Sequence, residues 1–387
     1  MKREEEHATA PTVAIVAGEP SGDLLGSLLI EATRRAGLPA RFEGIAGGKM
    51  QGLGARSLFP MESLAVRGYV EALSGLRKIL AIRRQLTRRL LQDKPRLFIG
   101  VDAPDFNLSL EARLKRNGIP TVHFISPSIW AWRRGRIKKI RKAVSHMLLV
   151  FPFEEAIYAQ AGIPATFVGH PLAHALPEQA DRKGARTRLG LKSNGEYVLL
   201  MPGSRQSELK LMAETFVETA RKIHAQRGHA QFLVPLVSRE TRLFFEETLY
   251  RLQAQDLPIR ILFGHAHDAM QAADAALIAS GTATLEAALL NCPHVITYKV
   301  PWLTYQIMRR QAYLPYVGLP NILAGRALVP ELIQKQAKPE ALADQMVRLL
   351  EDRLAREAMQ DGFAAIRRAL RRDTPRLIAE ALAPYLR

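Results

Sequence analysis

The run ALIASGTATLEAALL holds the densest chemistry in the sequence. It reads as a strand, a small-residue turn at Ser280, Gly281 and Thr282, and then a helix with Glu286 one turn inside. The first amides of a helix have no partner within it and point at whatever lies ahead of them, so such a turn suits an anion. Gly281 lets a backbone come close, Thr282 adds a hydroxyl, and Glu286, about one helical turn away, is placed to accept hydrogen bonds from a ribose diol. The same residues would also serve as an ordinary Ser/Thr helix cap. A second strand-to-helix turn, MPGSRQSELK, places Arg205 just after Gly203 and Ser204, where a permanently charged guanidinium could grip a departing diphosphate or simply pair with Glu208. A third segment, VGLPNILAGRALVPELIQ, puts Asn321 in a loop bounded by proline and glycine, with Glu331 and Gln334 three residues apart on one expected helix face. Loop stiffening and solvation are the bland alternatives there. Together the three segments predict a nucleoside-diphosphate pocket.

The first half offers a base. RLFIGVDAPDFN ends a buried strand at Asp102, and Pro104 prevents immediate helix continuation, so this carboxylate should project at the carboxyl end of a sheet, where α/β proteins bind ligands. Asp102 is the expected general base, with a carboxylate bonded to loop amides as the alternative. Asp105 reads as the N-cap of the next helix. AGEPSGD follows the first strand with glycines at 18, 22 and 26, which is neither GxGxxG nor a Gly-Lys-Ser/Thr phosphate loop, so a dinucleotide or ATP site is unsupported. Its Glu19 suits a polar acceptor, and Ser21 or Asp23 could cap the helix. No Asp-x-Asp pair suited to Mg²⁺ occurs, and His265, His267 and Asp268 read as polar loop chemistry rather than a metal site.

Elements able to hold these turns recur along the chain. TVAIVAG, RLFIGVD, TVHFISP, HMLLVFP and ATFVGHP read as one series of strands, and YVLLMPG, QFLVPLV, IRILFG, AALIASG and HVITYKV as another, each strand followed by a helical pattern. That alternation predicts α/β architecture: two tandem doubly wound Rossmann-like domains with a cleft between them. The boundaries are expected at 11–185 and 186–365, with a C-terminal helix over 366–387 crossing back to the first domain. At 387 residues two cores are the natural expectation. Cys292 reads as a small buried hydrophobe. No signal peptide or membrane-spanning run is evident, so a cytoplasmic location is expected.

Charge is uneven. Of the net +18, residues 1–150 carry +13, from 26 Lys/Arg against 13 Asp/Glu. Six cations fall between 77 and 89 beside Leu76, Ile79, Leu86 and Leu90, and seven of the ten residues from 133 to 142 are basic. Such a face meets acidic headgroups or is merely solvated. Trp130 and Trp132 would suit interfacial anchoring, and Leu64, Val66 and Val70 a loop over acyl chains. Nucleic acid would also answer the charge, but no aromatic-rich RNA signature, zinc spacing or helix-turn-helix pattern supports it.

AGEPSGD, GVDAPDFN, SPSIWAWRRGR, FVGHP, PGSRQSE, SGTATLEA and NILAGRALVPELIQ, in this order, resemble the lipid-A-disaccharide synthase family across nearly the whole chain after Ala10. Pro20 stands where that family more often has Ala. The resemblance implies a GT-B glycosyltransferase, inverting and metal-independent. Its donor would be UDP-2,3-diacylglucosamine and its acceptor 2,3-diacylglucosamine 1-phosphate, joined as a β(1→6) disaccharide at the cytoplasmic face of an anionic inner membrane. Asp102 then matches the catalytic aspartate, Glu19 an acceptor-side residue, and Arg205, Glu286 and Asn321 the nucleotide side. A transferase or UDP-sugar epimerase for a soluble sugar would share the second pocket without needing the basic stretches.

Overall fold

Near-continuous apolar runs make the strands. VAIVA after Thr12, LFIGV and AALIA are buried at every position, as parallel strands covered by helices on both faces must be. The computed structural model describes residues 10–64, 72–131, 134–311 and 314–387. Val66, Val70 and Trp132, and the Leu76 side chain, lie outside what is described. The chain divides into two compact units, one running to Pro171 and resuming at Leu370–Arg387, the other Leu172–Ala369.

The first unit contains β1 (Thr12–Ala17), α1 (Pro20–Arg35), β2 (Arg41–Ile45), α2 (Gly48–Gly52), β3 (Arg56–Ser57), α3 (Ala72–Asp93), β4 (Leu97–Val101), α4 (Pro104–Arg116), β5 (Thr121–Phe124), α5 (Ile137–Ala143), β6 (His146–Leu149), α6 (Glu154–Gln160) and β7 (Ala165–Phe167). Its strands form one parallel seven-stranded sheet in the order β3-β2-β1-β4-β5-β6-β7. The order reverses between β1 and β4, whose register sets Val16 beside Gly100 and Ala17 beside Val101. Loops leaving two such strands diverge and open a crevice at the carboxyl edge.

The second unit repeats the plan with α7 (Leu172–Ala175), α8 (Arg182–Arg188), β8 (Glu196–Met201), α9 (Gln206–Gln226), β9 (Ala230–Leu236), α10 (Arg239–Arg251), β10 (Ile259–Phe263), α11 (Ala266–Ala272), β11 (Ala275–Ala279), α12 (Thr282–Leu289), β12 (His294–Tyr298), α13 (Trp302–Gln311), α14 (Leu319–Ala324), β13 (Glu331–Ile333), α15 (Pro339–Glu351) and α16 (Arg353–Leu370). The order here is β10-β9-β8-β11-β12-β13, all parallel, so the reversal falls between β8 and β11. Two α/β units, each a parallel sheet with its own switch point, are the observed fold class.

The boundaries differ from 185/186 and 365/366. Helix α8 belongs to the second unit because Arg186 donates to the Ala272 carbonyl at 3.0 Å, pairs with Asp274 at 2.9 Å and lies over the Tyr197 ring. The terminal helix α17 (Thr374–Leu386) begins eight residues later than expected, where Asp373 accepts from the Arg376 amide and Pro375 occupies the first turn. It packs on α1 in the first unit, and Arg96 donates to the Tyr385 carbonyl at its far end. Cys292 is 2% exposed, and burial pushes its thiol up to about 12.

Helices α3, α4 and α5 pack side by side. Leu86 and Leu90 of α3 are fully buried, whereas Arg84 and Arg88, with Lys138, Lys139, Arg141 and Lys142 of α5, are exposed. The apolar stripe thus belongs to the core and the cations to the surface.

Candidate functional site

In the first unit the switch point is built by close approach. A side chain at Gly18 would meet the Cβ of Ala103 at 3.0 Å, and one at Gly22 the Cβ of Ala17 at 3.3 Å, so small residues bring the loops after β1 and β4 together. Glu19 is the extended N-cap of α1 yet makes no side-chain cap bond, and its side chain is exposed. Asp23 does not cap its own helix. Its two oxygens accept from the Lys49 and Met50 amides at 2.8 and 3.1 Å and so cap α2, which explains its 5% exposure.

Asp102 and Ala103 both adopt left-handed backbone, with φ of 49° and 43°. Non-glycine residues enter that region only at a cost and persist there when surrounding contacts impose it. Here the Asp102 amide donates to the Phe124 carbonyl at 2.9 Å, and Asn107 Nδ2 donates to the Asp102 carbonyl at 2.8 Å. Ala103, rather than Asp105, is the N-cap of α4, because the left-handed turn lets the helix start two residues earlier; Asp105 instead pairs with Arg136. Among the described residues neither Asp102 nor Glu19 has a side-chain hydrogen bond or ion pair. Asp102 thus holds a carboxylate with no partner among the described residues on a left-handed turn at a switch point.

Beside this turn Ile125, a β-branched residue, also sits at φ 77°. The loop it opens leads to Trp130, which is 9% exposed and packs edge-on against Phe151 and Phe153, with ring centroids 6.1 and 5.4 Å away. The interfacial role expected of Trp130 is therefore replaced by a core role, the aromatic cluster having claimed its ring. Beneath it Glu154 is 1% exposed and accepts from the Phe151 amide at 3.2 Å, with the Val150 amide, Ser126 and Trp130 as further polar neighbours that favour its charged form. Burial outweighs these bonds and raises its carboxyl to about 8.

In the second unit, Gly203 has φ 136°, and a Cβ there would lie 2.6 Å from the Cβ of Glu208, so only glycine fits the turn. Glu208 Oε2 accepts from the Ser204 and Arg205 amides at 2.8 and 3.1 Å, capping α9. The Arg205 guanidinium stands 3.4 Å from Glu208 Oε1 and is 78% exposed, so it remains available to an anion. At the adjoining strand end, Ser280 leads to Gly281, the N-cap of α12, with no side-chain cap on the helix. Gly281 is extended and a Cβ there would meet nothing within 4 Å. Thr282 is exposed at the first helical position. Glu286, 23% exposed, binds His267 Nε2 at 2.7 Å, and this bond is the main reason the imidazole is held above its usual range. One residue on from His267, Asp268 pairs with Arg188 at 2.8 Å.

One expectation is revised, and one residue proves to be tied to its own loop. Glu331 and Gln334 do not share a helix face: Pro330 precedes strand β13, which pairs with β12, and Gln334 opens a 3-10 turn at φ 54° with its amide on the Val300 carbonyl. Asn321 is 1% exposed and spends its amide on the Val329 carbonyl, Glu331 and the Leu328 and Val329 amides. Glu331 in turn accepts from the Val317 and Gly318 amides, both at 2.9 Å. These two residues brace the loop.

The sequence pointed past His267, Asn107 and Glu154. His267 was legible as a histidine but not as the partner of Glu286, since α11 and α12 meet only in three dimensions. Asn107 and Glu154 sit on helices with no local pattern to mark them.

A family model described as lipid-A-disaccharide synthetase matches residues 13–382. The lipid-A-disaccharide synthase of Methylobacillus flagellatus is 53% identical over 377 residues, covering 97% of this chain and 100% of its own length; that of Dechloromonas aromatica is 54% identical over 379 residues, covering 98% and 99%. Among solved structures, the UDP-GlcNAc 2-epimerase of Neisseria meningitidis aligns with a TM-score of 0.62 at 11% identity over 96% of this chain and 97% of its own. MurG of Acinetobacter baumannii aligns at 0.55 and 14% identity over 96% and 99%. At such identities these structures attest the two-domain GT-B fold. With the relatives matching end to end and the switch-point turns in place, the chain belongs to the lipid-A-disaccharide synthase family.

Proposed function

We propose that this chain is an inverting glycosyltransferase of lipid A biosynthesis, moving 2,3-diacylglucosamine from its UDP conjugate to the 6-hydroxyl of 2,3-diacylglucosamine 1-phosphate. The acceptor oxygen attacks the anomeric carbon as Asp102 takes its proton. The bond to the diphosphate breaks, and UDP leaves with the electron pair. Amides at the start of α12, the hydroxyl of Thr282 and the guanidinium of Arg205 receive the charge that develops on the diphosphate, which a preorganised set of donors does without reorganising and without a divalent ion. Glu286, steadied by His267, takes the ribose hydroxyls. Glu19 serves the acceptor side.

The observation that carries this reading is the Asp102 carboxylate on its left-handed turn, without a partner among the described residues. The basic face of α3 and α5 draws the enzyme to anionic lipid at the cytoplasmic surface of the inner membrane, where both acylated substrates reside. No described helix is long and apolar enough to cross a membrane. The test is incubation with the two acylated glucosamine substrates and mass analysis for the disaccharide 1-phosphate, wild type beside Asp102→Asn. Loss of the base should lower kcat by about 10²–10⁴, with UDP affinity and melting temperature retained. Full turnover by the variant would remove Asp102 from the mechanism.

A further inference from the structure

Behind the Asp102 turn lies a buried polar assembly that the reaction described above leaves unused. Asn107, Glu111 and His123 are each fully buried. Glu111 reaches from α4 to His123 Nδ1 at 2.7 Å, and His123 stands beside Gly100 in the sheet register. Gly100 is required there, because a Cβ would collide with Glu111 Oε1 and come within 3.0 Å of the Asn107 Cβ. Asn107 Nδ2 donates to the Asp102 carbonyl at 2.8 Å, and it lies 3.4 Å from the Val16 carbonyl and 3.5 Å from that of Val101. One amide therefore spans the ends of β1 and β4, the two strands that define the switch point.

A buried polar group costs stability unless its partners are met, and three atoms here, Asn107 Oδ1, Glu111 Oε2 and His123 Nε2, have none among the described residues. A packing role alone would be met by apolar side chains. What an apolar residue at 107 cannot do is hold a carbonyl in a left-handed turn that L-residues avoid.

We propose that Asn107 is a positioning residue for the transfer reaction: through the Asp102 carbonyl it fixes the left-handed turn that aims the Asp102 carboxylate at the acceptor hydroxyl, with Glu111 and His123 setting the depth of α4 behind it. The proposal rests on Asp102 being the base. Released from Asn107, the turn relaxes toward ordinary backbone and the carboxylate swings away, while the donor pocket in the other unit is untouched.

The test measures kcat, KM for both acylated substrates and UDP affinity by calorimetry for Asn107→Ala, with Asn107→Ser as a second variant that is polar but too short to reach the carbonyl. Each is made alone and in Asp102→Asn protein. The expected result is a fall in kcat of roughly 10- to 100-fold with KM and UDP affinity unchanged, and no further fall when the substitution is added to Asp102→Asn, because residues acting through one group are not additive. Wild-type kcat in a folded variant, a loss confined to KM, or a fall that multiplies that of Asp102→Asn would each overturn the proposal. Full activity of Asp102→Asn alone would instead strike the reading of Asp102 itself, so the two failures are distinct.

Discussion

Glu154 should make the first unit lose stability as pH rises through neutrality, and Glu154→Gln should remove that dependence. An unfolded glutamate titrates near 4.5, whereas the buried Glu154 keeps its proton to about 8. Between those values the unfolded chain releases a proton that the folded chain retains, so folding weakens with rising pH and levels off above about 8. At about 1.4 kcal/mol per pH unit, the roughly 2.5 units from 4.5 to pH 7 give a penalty of about 3 kcal/mol. The amide of the variant does not titrate. It does, however, turn an NH₂ toward donors at Phe151, Val150, Ser126 and Trp130, a loss of about 1–2 kcal/mol that is the same at every pH. The two stability curves should therefore cross. The variant melts lower than wild type near pH 5 and higher near pH 8, a relative swing of roughly 6–12 °C at about 2–4 °C per kcal/mol for a unit of this size. Paired calorimetric melts from pH 5 to 8 measure it. Parallel curves would show that Glu154 titrates as an ordinary surface acid and would refute the account of its burial.

Two further outcomes follow from the sites. Glu286→Ala should weaken UDP binding by about 10- to 100-fold, the equivalent of about 1.5–3 kcal/mol for a hydrogen bond to a charged group, and an unchanged calorimetric Kd would count against the ribose assignment. Charge reversal of Lys138, Lys139, Arg141 and Lys142 should abolish sedimentation with anionic vesicles while sparing UDP affinity, since each basic residue near such a surface is worth about 1 kcal/mol; undiminished sedimentation would move the membrane contact elsewhere.

The sequence made the strands and their turns legible because a buried parallel strand leaves an unbroken apolar run and its loop leaves a cluster of small and polar residues. Asp102, Arg205, Gly281 and Glu286 were singled out on that basis, and the sheets do place their turns at strand ends. Errors arose where a local rule met a tertiary competitor. Glu331 and Gln334 have helical spacing, but the open edge of β12 takes that segment as a strand. Asn321 is polar in a rigid loop, and part of that rigidity is its own work. Trp130 stands among cations in the sequence and among phenylalanines in the fold. Asp105 has the look of a cap, but only the backbone angles of Asp102 and Ala103 reveal that the helix starts earlier. Strain of that kind leaves no trace in residue type.

The same sheet plan ends in different turns in the two units, and Gly281 is where the difference can be tested. The first switch point carries a carboxylate on non-glycine residues at positive φ. The second presents bare backbone. Gly203 is glycine for a folding reason, since its φ of 136° and the nearby Glu208 exclude any side chain. Gly281 has no such reason: its φ of 164° is extended backbone open to every residue, and a Cβ there would touch nothing. If glycine stands at 281 so that a diphosphate can come up to the α12 amides, Gly281→Ala should leave the melting temperature within about 2 °C, the change expected of a surface substitution of no more than about 0.5 kcal/mol. The same substitution should weaken UDP by about tenfold or more, because the added methyl displaces an anion from donors worth about 1.5–3 kcal/mol each. Undiminished UDP affinity in the folded variant would mean that the diphosphate does not seat on this helix, and the donor site would have to be sought at another strand end.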